Sequence, residues 1–344
     1  MADDSADLTH AATVLVTTVL HVRSGDRFVI IGDGESADIV HAIAEAGEAA
    51  GAEVTLALLD QLRSQSTGHT GDRPHKVLPD AVRRALLGAQ CSAFVASAPH
   101  GESSMRDQLL HIVGACSVRH AHMPQVSRRA FARGLMLDYQ KVETWGRAMG
   151  LRVELARTVD TESAAGTRLT MRFAPENRWT AHLGIIAPGE WTHVPSGALY
   201  ATPESVDGVF VANASLGEFF GAREGLLLER PIRFTIEGGR VVGVDAPHSP
   251  SLVEDVQTML SVAPNSDRVG LAAIGVNVGV EAPSGEASVD QTMPGLHLIL
   301  GDPAGKIPAL SWSARTSFVA CQSGCRVSID GSLAIENGKI VSVA

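Results

Sequence analysis

Apolar and polar residues along the first 150 positions follow the periods of buried strands and packed helices. A strand is predicted at residues 28–31, a tight turn at 32–34, a helix at 35–50 and a second strand at 53–58. Strand, helix and strand in this order predict a right-handed parallel crossover. The same pattern continues with helices at residues 5–22, 78–87, 103–113, 127–134 and 138–150, and a strand at 92–97. Residues 1–150 are therefore predicted to form a doubly wound α/β domain.

From residue 151 the pattern changes to short alternating runs separated by Gly and Pro. Strands are predicted at residues 167–173, 178–182, 208–212, 232–236 and 240–244, with one helix at 251–261. Residues 151–344 are therefore predicted to form a mainly β domain. The predicted fold class is α/β, with the doubly wound domain first and the β-rich domain second.

Composition and charge narrow the class of protein. At 344 residues, 45% apolar and 19% charged, the chain has the length of about two globular domains. A formal charge of −10 without a Lys/Arg stripe argues against nucleic acid as a partner. No apolar run approaches the roughly 18 residues that span a bilayer, which argues against a membrane. The acidic first residues and the four cysteines lead us to expect a cytoplasmic location.

Three histidines and two cysteines have spacings that could belong to a metal-binding site. His120 and His122, in an H-x-H run, would project from one side of a strand, with His111 nearby in sequence. No carboxylate accompanies them, so we expect core or exposed histidines rather than ligands. Cys321 and Cys325 have C-x-x-x-C spacing, and we expect them to be small buried apolar residues rather than a metal or redox pair.

Two further motifs in the first half carry weak signals. The turn at residues 32–36, GDGES, precedes a helix but lacks the full G-x-G-x-x-G, and Asp33 and Glu35 would repel phosphate. The run at residues 99–104, PHGESS, is not G-x-S-x-G, and a serine at a helix start is usually a cap. Neither motif predicts a nucleotide site or a hydrolase.

Two stretches of the second half, residues 191–214 and 295–331, carry a family pattern. Pro195, Gly197, Tyr200 and Pro203 fit one frame, and the chain closes with the Asp-Gly and Asn-Gly-Lys elements of residues 330–339. These segments resemble the aminopeptidase T family of metallopeptidases. The resemblance implies an α/β domain followed by a β-rich catalytic domain, usually in a dimer.

Most of the residues that bind metal in that family are replaced in this chain. The resemblance puts Ala198 and Leu271 where the family has glutamates, and Thr316 and Phe318 where it has histidine and aspartate. Only one imidazole, His297, is retained. No Glu, Asp or His lies within three places of Ala198 or Leu271, so shifting the alignment does not restore the ligands. One imidazole is insufficient for a catalytic metal, which needs about three protein ligands.

We therefore predict a metal-free pseudoenzyme that binds a peptide, with no cofactor and no catalytic residue. Arg315 or His297 would bind a carboxylate of the peptide. The chain also resembles peptide-binding proteins of ribosomal peptide natural-product pathways such as crocagin biosynthesis. That resemblance implies presentation of a precursor peptide to a tailoring oxygenase or cyclase. The predicted peptide-binding residues are His193, Ala198, Tyr200, Leu271, Asn277, His297, Arg315, Thr316 and Phe318.

Two enzymatic alternatives remain open. The first is a metallo-aminopeptidase or ring-cleaving dioxygenase whose ligands have moved, with His182, Glu190 and His193 joining His297. The second is a metal-free enzyme in which His297 acts as general base in a peptide cyclisation. Metal content and turnover of a peptide by the protein alone would separate these alternatives from binding.

Overall fold

The computed structural model describes residues 2–66, 77–96, 103–136, 138–303 and 312–341. Its α-helices are α1 (Ala2–Val14), α2 (Ala37–Ala49), α3 (Leu59–Ser66), α4 (Asp80–Leu86), α5 (Ser103–Ala115), α6 (Arg128–Leu135), α7 (Tyr139–Val153), α8 (Glu218–Glu224), α9 (Pro250–Ser261) and α10 (Ala287–Asp290). Its first nine strands are β1 (Arg27–Gly32), β2 (Glu53–Leu58), β3 (Cys91–Val95), β4 (Arg119–His122), β5 (Thr158–Ser163), β6 (Arg168–Arg172), β7 (Thr180–His182), β8 (Trp191–His193) and β9 (Ala198–Ala201). The remaining strands are β10 (Ser205–Ala212), β11 (Ser215–Leu216), β12 (Ile232–Glu237), β13 (Arg240–Asp245), β14 (Val269–Gly275), β15 (Gly295–Gly301), β16 (Ser317–Cys321), β17 (Cys325–Ile329), β18 (Ser332–Glu336) and β19 (Lys339–Ile340).

The chain divides into two compact units. The first comprises Met1–Tyr139 and Gly184–Ser196, and the second comprises Gln140–Leu183 and Gly197–Ala344. This division does not coincide with the predicted boundary at residue 150. The difference arises because residues 184–196 contribute β8 to the sheet of the first unit, while nearly all of α7 belongs to the second.

The first unit contains a five-stranded sheet in the order β2, β1, β3, β4, β8, and every pair in it is parallel. Helix α2 packs closely on this sheet at Gly32, where an added Cβ would lie 2.3 Å from a methyl carbon of Val40 and 3.0 Å from the carbonyl oxygen of Val95. The doubly wound prediction is confirmed here. The predicted helix at residues 5–22 is interrupted, since α1 ends at Val14 and a π-helical turn follows at Leu15–Val19.

The second unit contains two antiparallel sheets. One has eight strands in the order β13, β12, β10, β6, β5, β17, β18, β19, and the other has six in the order β11, β16, β15, β14, β9, β7. Burial alternates along β12 and β17, so the eight-stranded sheet has one packed face and one face toward solvent. Every residue of β14 and β15 is buried, so both faces of the six-stranded sheet are covered there.

Turn chemistry explains the closing Asp-Gly and Asn-Gly elements. Asp330 and Gly331 connect β17 to β18, Asn337 and Gly338 connect β18 to β19, and all four residues have positive φ. Such pairs suit the two-residue hairpin turns that match strand twist. The Asp330 carboxylate also accepts hydrogen bonds from the backbone N–H groups of Arg157 at 3.0 Å and Thr158 at 2.8 Å. These retained residues therefore serve the fold.

Two segments of the first half are described only in part. Residues 61–66 form the end of α3, and residues 67–76 lie outside the described residues. Residues 97–102 of the PHGESS region also lie outside them. Across the described ranges, no helix combines the length and hydrophobicity needed to cross a bilayer.

Candidate functional site

The six-stranded sheet brings several of the family positions onto one face. Tyr200 lies opposite Ala273 on β14, and Ala273 lies opposite His297 on β15. Side chains that face each other across antiparallel strands project to the same side, as do residues two apart on one strand. Ala198 and Leu271 therefore share this face with Tyr200 and His297. We call it the His297 face.

Burial shows that the His297 face is packed. Ala198, Leu271 and His297 each have 0% of their surface exposed, and Tyr200 has 4%. Leu271 lies opposite Ile299, which is itself buried. Hydrocarbon side chains therefore fill the places where the resemblance expects carboxylate ligands.

Asn277 is also buried, although it lies just beyond the end of β14. Its backbone N–H donates to the carbonyl of Thr292 at 2.9 Å, and its Oδ1 accepts from the N–H of Gly279 at 3.3 Å. An added Cβ at Gly197 would lie 2.9 Å from the Cβ of Asn277. Close packing therefore gives Gly197 and Asn277 a structural role.

The last three predicted residues do not converge on the His297 face. Phe318 lies opposite Leu300, three residues from His297, so its side chain projects from the other side of the sheet. There it contacts the ring of Phe220, with the ring centroids 5.5 Å apart. Arg315 is exposed and Thr316 is partly exposed, in the segment that leads into β16.

His297 is held as a neutral imidazole. Its Nε2 lies 2.9 Å from the carbonyl oxygen of Met293, which can only accept, so Nε2 carries the proton and Nδ1 has a free lone pair. Nδ1 is buried and has no hydrogen-bond partner among the described residues. Burial lowers the pKa of His297 to about 4. The carboxylate of Asp290 accepts hydrogen bonds from the backbone N–H and the hydroxyl of Ser284, each at 2.7 Å.

The donor set of the His297 face does not fit a catalytic metal. Zinc sites of this kind use about three protein ligands, and non-haem iron oxygenases use two histidines and a carboxylate. Among the residues that the structure describes, no group of three or more His, Cys, Asp or Glu side chains is placed to hold a metal ion. Burial also raises the pKa of Tyr200, which keeps the phenol protonated. A single imidazole with hydrocarbon neighbours lacks the charge that a divalent cation requires.

The relocated ligands proposed as an alternative fall in different units. His182 belongs to the second unit, where its ring contacts Tyr200 with centroids 5.4 Å apart. Glu190 and His193 belong to the first unit. There the His193 ring lies 5.3 Å from the ring of His122, between centroids.

A hydrogen-bonded histidine pair lies in the first unit. Nδ1 of His120 is 2.8 Å from the hydroxyl of Ser92, and its Nε2 is 3.1 Å from Nδ1 of His122. Both histidines are buried, and burial lowers the pKa of His120 to about 3. The predicted common side of the H-x-H pair is confirmed, as is its place in the core, whereas His111 is exposed on α5. Cys321 and Cys325 are also buried as predicted, and none of the four cysteines, all described, forms a disulfide.

Two open clefts occur elsewhere. A cleft of about 240 Å³ lies at the carboxyl ends of β1 and β3, beside the GDGES turn, and is lined by Glu35, Ser36, Ala96, Gln125 and Val126. A larger groove of about 670 Å³ lies at one end of the solvent face of the eight-stranded sheet. It is lined by Glu162, Ser163, Ala164, Gly166, Thr167, Arg168, Val209, Gly324, Arg326, Glu336 and Asn337. Sequence reasoning missed this groove, although the alternation of inward residues with polar or charged ones along β5, β6 and β17 was a visible signal.

Comparison with known proteins identifies the family. The model of the family described as NicX, 2,5-dihydroxypyridine 5,6-dioxygenase, matches residues 11–257, which is more than half of the chain. The chain belongs to the NicX family. No curated protein sequence matches it.

Two solved structures show that the NicX-family fold extends over nearly the whole chain. The 2,5-dihydroxypyridine dioxygenase of Pseudomonas putida KT2440 superposes with a TM-score of 0.71 at 16% identity, covering 98% of both chains. Wild-type AmpT of Thermus thermophilus superposes with a TM-score of 0.68 at 14% identity, covering 98% of this chain and 99% of its own. The predicted aminopeptidase T-like fold is confirmed, and the family model adds a dioxygenase family to the peptidase resemblance.

Proposed function

We propose that this NicX-family chain is a peptide-binding protein that lacks metal-dependent catalysis. The observation that carries the proposal is the packing of the His297 face. Ala198 and Leu271, at positions that the resemblance assigns to metal ligands, are fully buried there beside one neutral imidazole. Hydrocarbon side chains at these positions stabilise the fold without a metal and leave none of the charge that metal-assisted hydrolysis or ring cleavage uses.

The ligand class rests on the resemblance to a peptidase family, and the AmpT-like fold supports it. In the proposed role the protein holds a precursor peptide for a tailoring oxygenase or cyclase, as a homodimer in the cytoplasm. Of the nine predicted contact residues, Arg315, Thr316 and His193 are at least partly exposed. The other six are buried, so a peptide would reach them only if the protein opened around them.

The NicX family match favours ring-cleaving dioxygenase activity as a second candidate function. Ring cleavage would require metal ligands other than Ala198 and Leu271; the relocated set considered from the sequence is His182, Glu190 and His193 together with His297. General-base catalysis by His297 is less favoured, because the imidazole has no exposed surface through which a substrate could reach Nδ1.

Metal analysis and two activity assays test the proposal. Protein purified without chelators and then incubated with Fe(II), Mn(II) or Zn(II) should retain far less than one metal ion per chain. It should neither cleave 2,5-dihydroxypyridine nor shorten a peptide, but should bind peptides in isothermal titration calorimetry. One retained metal ion per chain together with ring cleavage would establish the second candidate instead. Peptide turnover that disappears in His297→Gln would establish the general-base alternative.

A further inference from the structure

We infer that the 670 Å³ groove on the eight-stranded sheet is a binding site for an extended peptide segment that carries carboxylates. The inference rests on the proposed function, because it names the surface and the peptide chemistry that such binding would use. The volume lies within the range of binding sites, and the groove is open along the sheet. Polar and charged side chains form most of its lining, which favours a polar ligand over an apolar one.

A row of alternating charges crosses the groove. Arg326 on β17 lies opposite Glu162 on β5, and Glu162 lies opposite Arg168 on β6. Nε of Arg326 is 3.5 Å from the carboxylate of Glu336 and 3.9 Å from that of Glu162. Contacts this long between exposed groups are weak, so Arg326 is available to a ligand.

Two further guanidinium groups lie in or beside the groove. Arg168 lines it, and the side chains of Arg168 and Arg233 form no hydrogen bond or ion pair with any described residue. Both residues are exposed. Arg233 lies above the β5–β6 turn, where a Cβ added to Gly166 would be 3.2 Å from one of its terminal nitrogens. Uncommitted guanidinium groups on a chain of net charge −10 are suited to bidentate contacts with carboxylates.

The same charges favour a peptide over a nucleic acid. Glu162 and Glu336 stand among the arginines and would repel a continuous phosphate backbone. The lining residues include no aromatic ring on which bases could stack. A peptide can place its carboxylates against Arg168 and Arg233 and its backbone N–H groups against Glu162 and Glu336.

Fluorescence anisotropy tests this site with labelled peptides of about ten residues, with blocked ends. One peptide alternates Asp and Ser, and two matched peptides carry Asn or Lys in place of Asp. The acidic peptide should bind most tightly, and the double variant R168Q/R233Q should lose about tenfold in affinity, as expected for loss of charge-assisted hydrogen bonds. The matched control is R172Q/R178Q, which removes the same charge from the second unit. Arg172 lies about 13 Å along β6 from Arg168, and the control should bind within about twofold of the unmodified protein.

Several results would overturn the inference. Equal losses in both double variants would show general electrostatic attraction rather than a site, and an unchanged R168Q/R233Q would place binding elsewhere. Equal or tighter binding of the Asn or Lys peptide, no binding of any peptide, or tighter binding of a thymidine oligonucleotide would refute the assignment to an acidic peptide. A bound metal ion with ring cleavage would refute the proposed function but leave binding at the groove intact. Circular dichroism spectra and melting temperatures of both double variants establish that they are folded.

Discussion

Replacing Leu271 by glutamate tests whether the His297 face is a packed core or a vacated ligand site. Leu271 is fully buried on β14, opposite buried Ile299. Leu271→Gln keeps the size but removes about 1.5 to 3 kcal/mol of apolar burial, and a buried amide without partners costs about 1 to 3 kcal/mol more. Leu271→Glu adds the cost of burying a carboxylate, whose pKa rises by about 3 to 5 units in such a site. At 1.36 kcal/mol per unit, and with an unfolded-state pKa of about 4.3, this is a further loss of about 4 to 5 kcal/mol at pH 8.

Urea denaturation followed by tryptophan fluorescence measures these differences. The gap between Leu271→Glu and Leu271→Gln should shrink as pH falls toward about 4.3, because the folded state then holds the glutamate protonated. Leu271→Met conserves volume and should cost less than about 1.5 kcal/mol. If the unfolding free energies of the Glu and Gln variants differed by less than about 1 kcal/mol at pH 8, the side chain at position 271 would be in contact with water or a cation. That result would refute the packed-core interpretation.

Three other predictions concern parts of the fold outside that position. The folded-state pKa of His120 is about 3, below its ordinary 6.5, so the unfolded chain binds the proton first and stability decreases as the pH is lowered. Between pH 7 and pH 5 the unfolding free energy should drop about 2 kcal/mol more than in His120→Gln. An equal pH dependence in the two proteins would contradict this prediction. Gly275→Ala should lower the unfolding free energy by about 3 kcal/mol, because the added Cβ would lie 1.9 Å from the carbonyl oxygen of Met293. The control is Gly114→Ala, whose Cβ would have no atom nearer than 3.9 Å among the described residues outside its own helix. It should be neutral or stabilising in the same urea titrations. Asp330→Asn should lower the unfolding free energy by about 1 kcal/mol, because its hydrogen bonds to the backbone N–H groups at the start of β5 would be weaker. An unchanged urea midpoint would show that these hydrogen bonds do not stabilise the fold.

Local patterns predicted the parts of the fold that local interactions determine. The strand, turn and helix of residues 27–49 have a clear change of period, and the structure confirms them. The strand Trp191–His193 was not predicted, because three residues carry no detectable period and the strand depends on long-range parallel pairing with β4. Long-range pairing also determines the five-stranded order of the first sheet, which the sequence alone does not specify.

The candidate site shows the same limit. The resemblance assigned Ala198, Leu271 and His297 to ligand positions of the peptidase family, and the structure places all three on one face of the six-stranded sheet. Sequence spacing did not show that Phe318 projects from the opposite side of the sheet, because that depends on the register between β15 and β16. The groove with Arg168 and Arg233 depends on the order β12, β10, β6, β5, which joins strands distant in sequence.

Anomalous X-ray diffraction from crystals grown with Mn(II) or Fe(II) and without chelator would test the central claim most directly. Our account predicts no anomalous peak within bonding distance of Nδ1 of His297, because Ala198 and Leu271 on the same face offer no donor atom to a metal. A fully occupied metal peak bound to that nitrogen would contradict it.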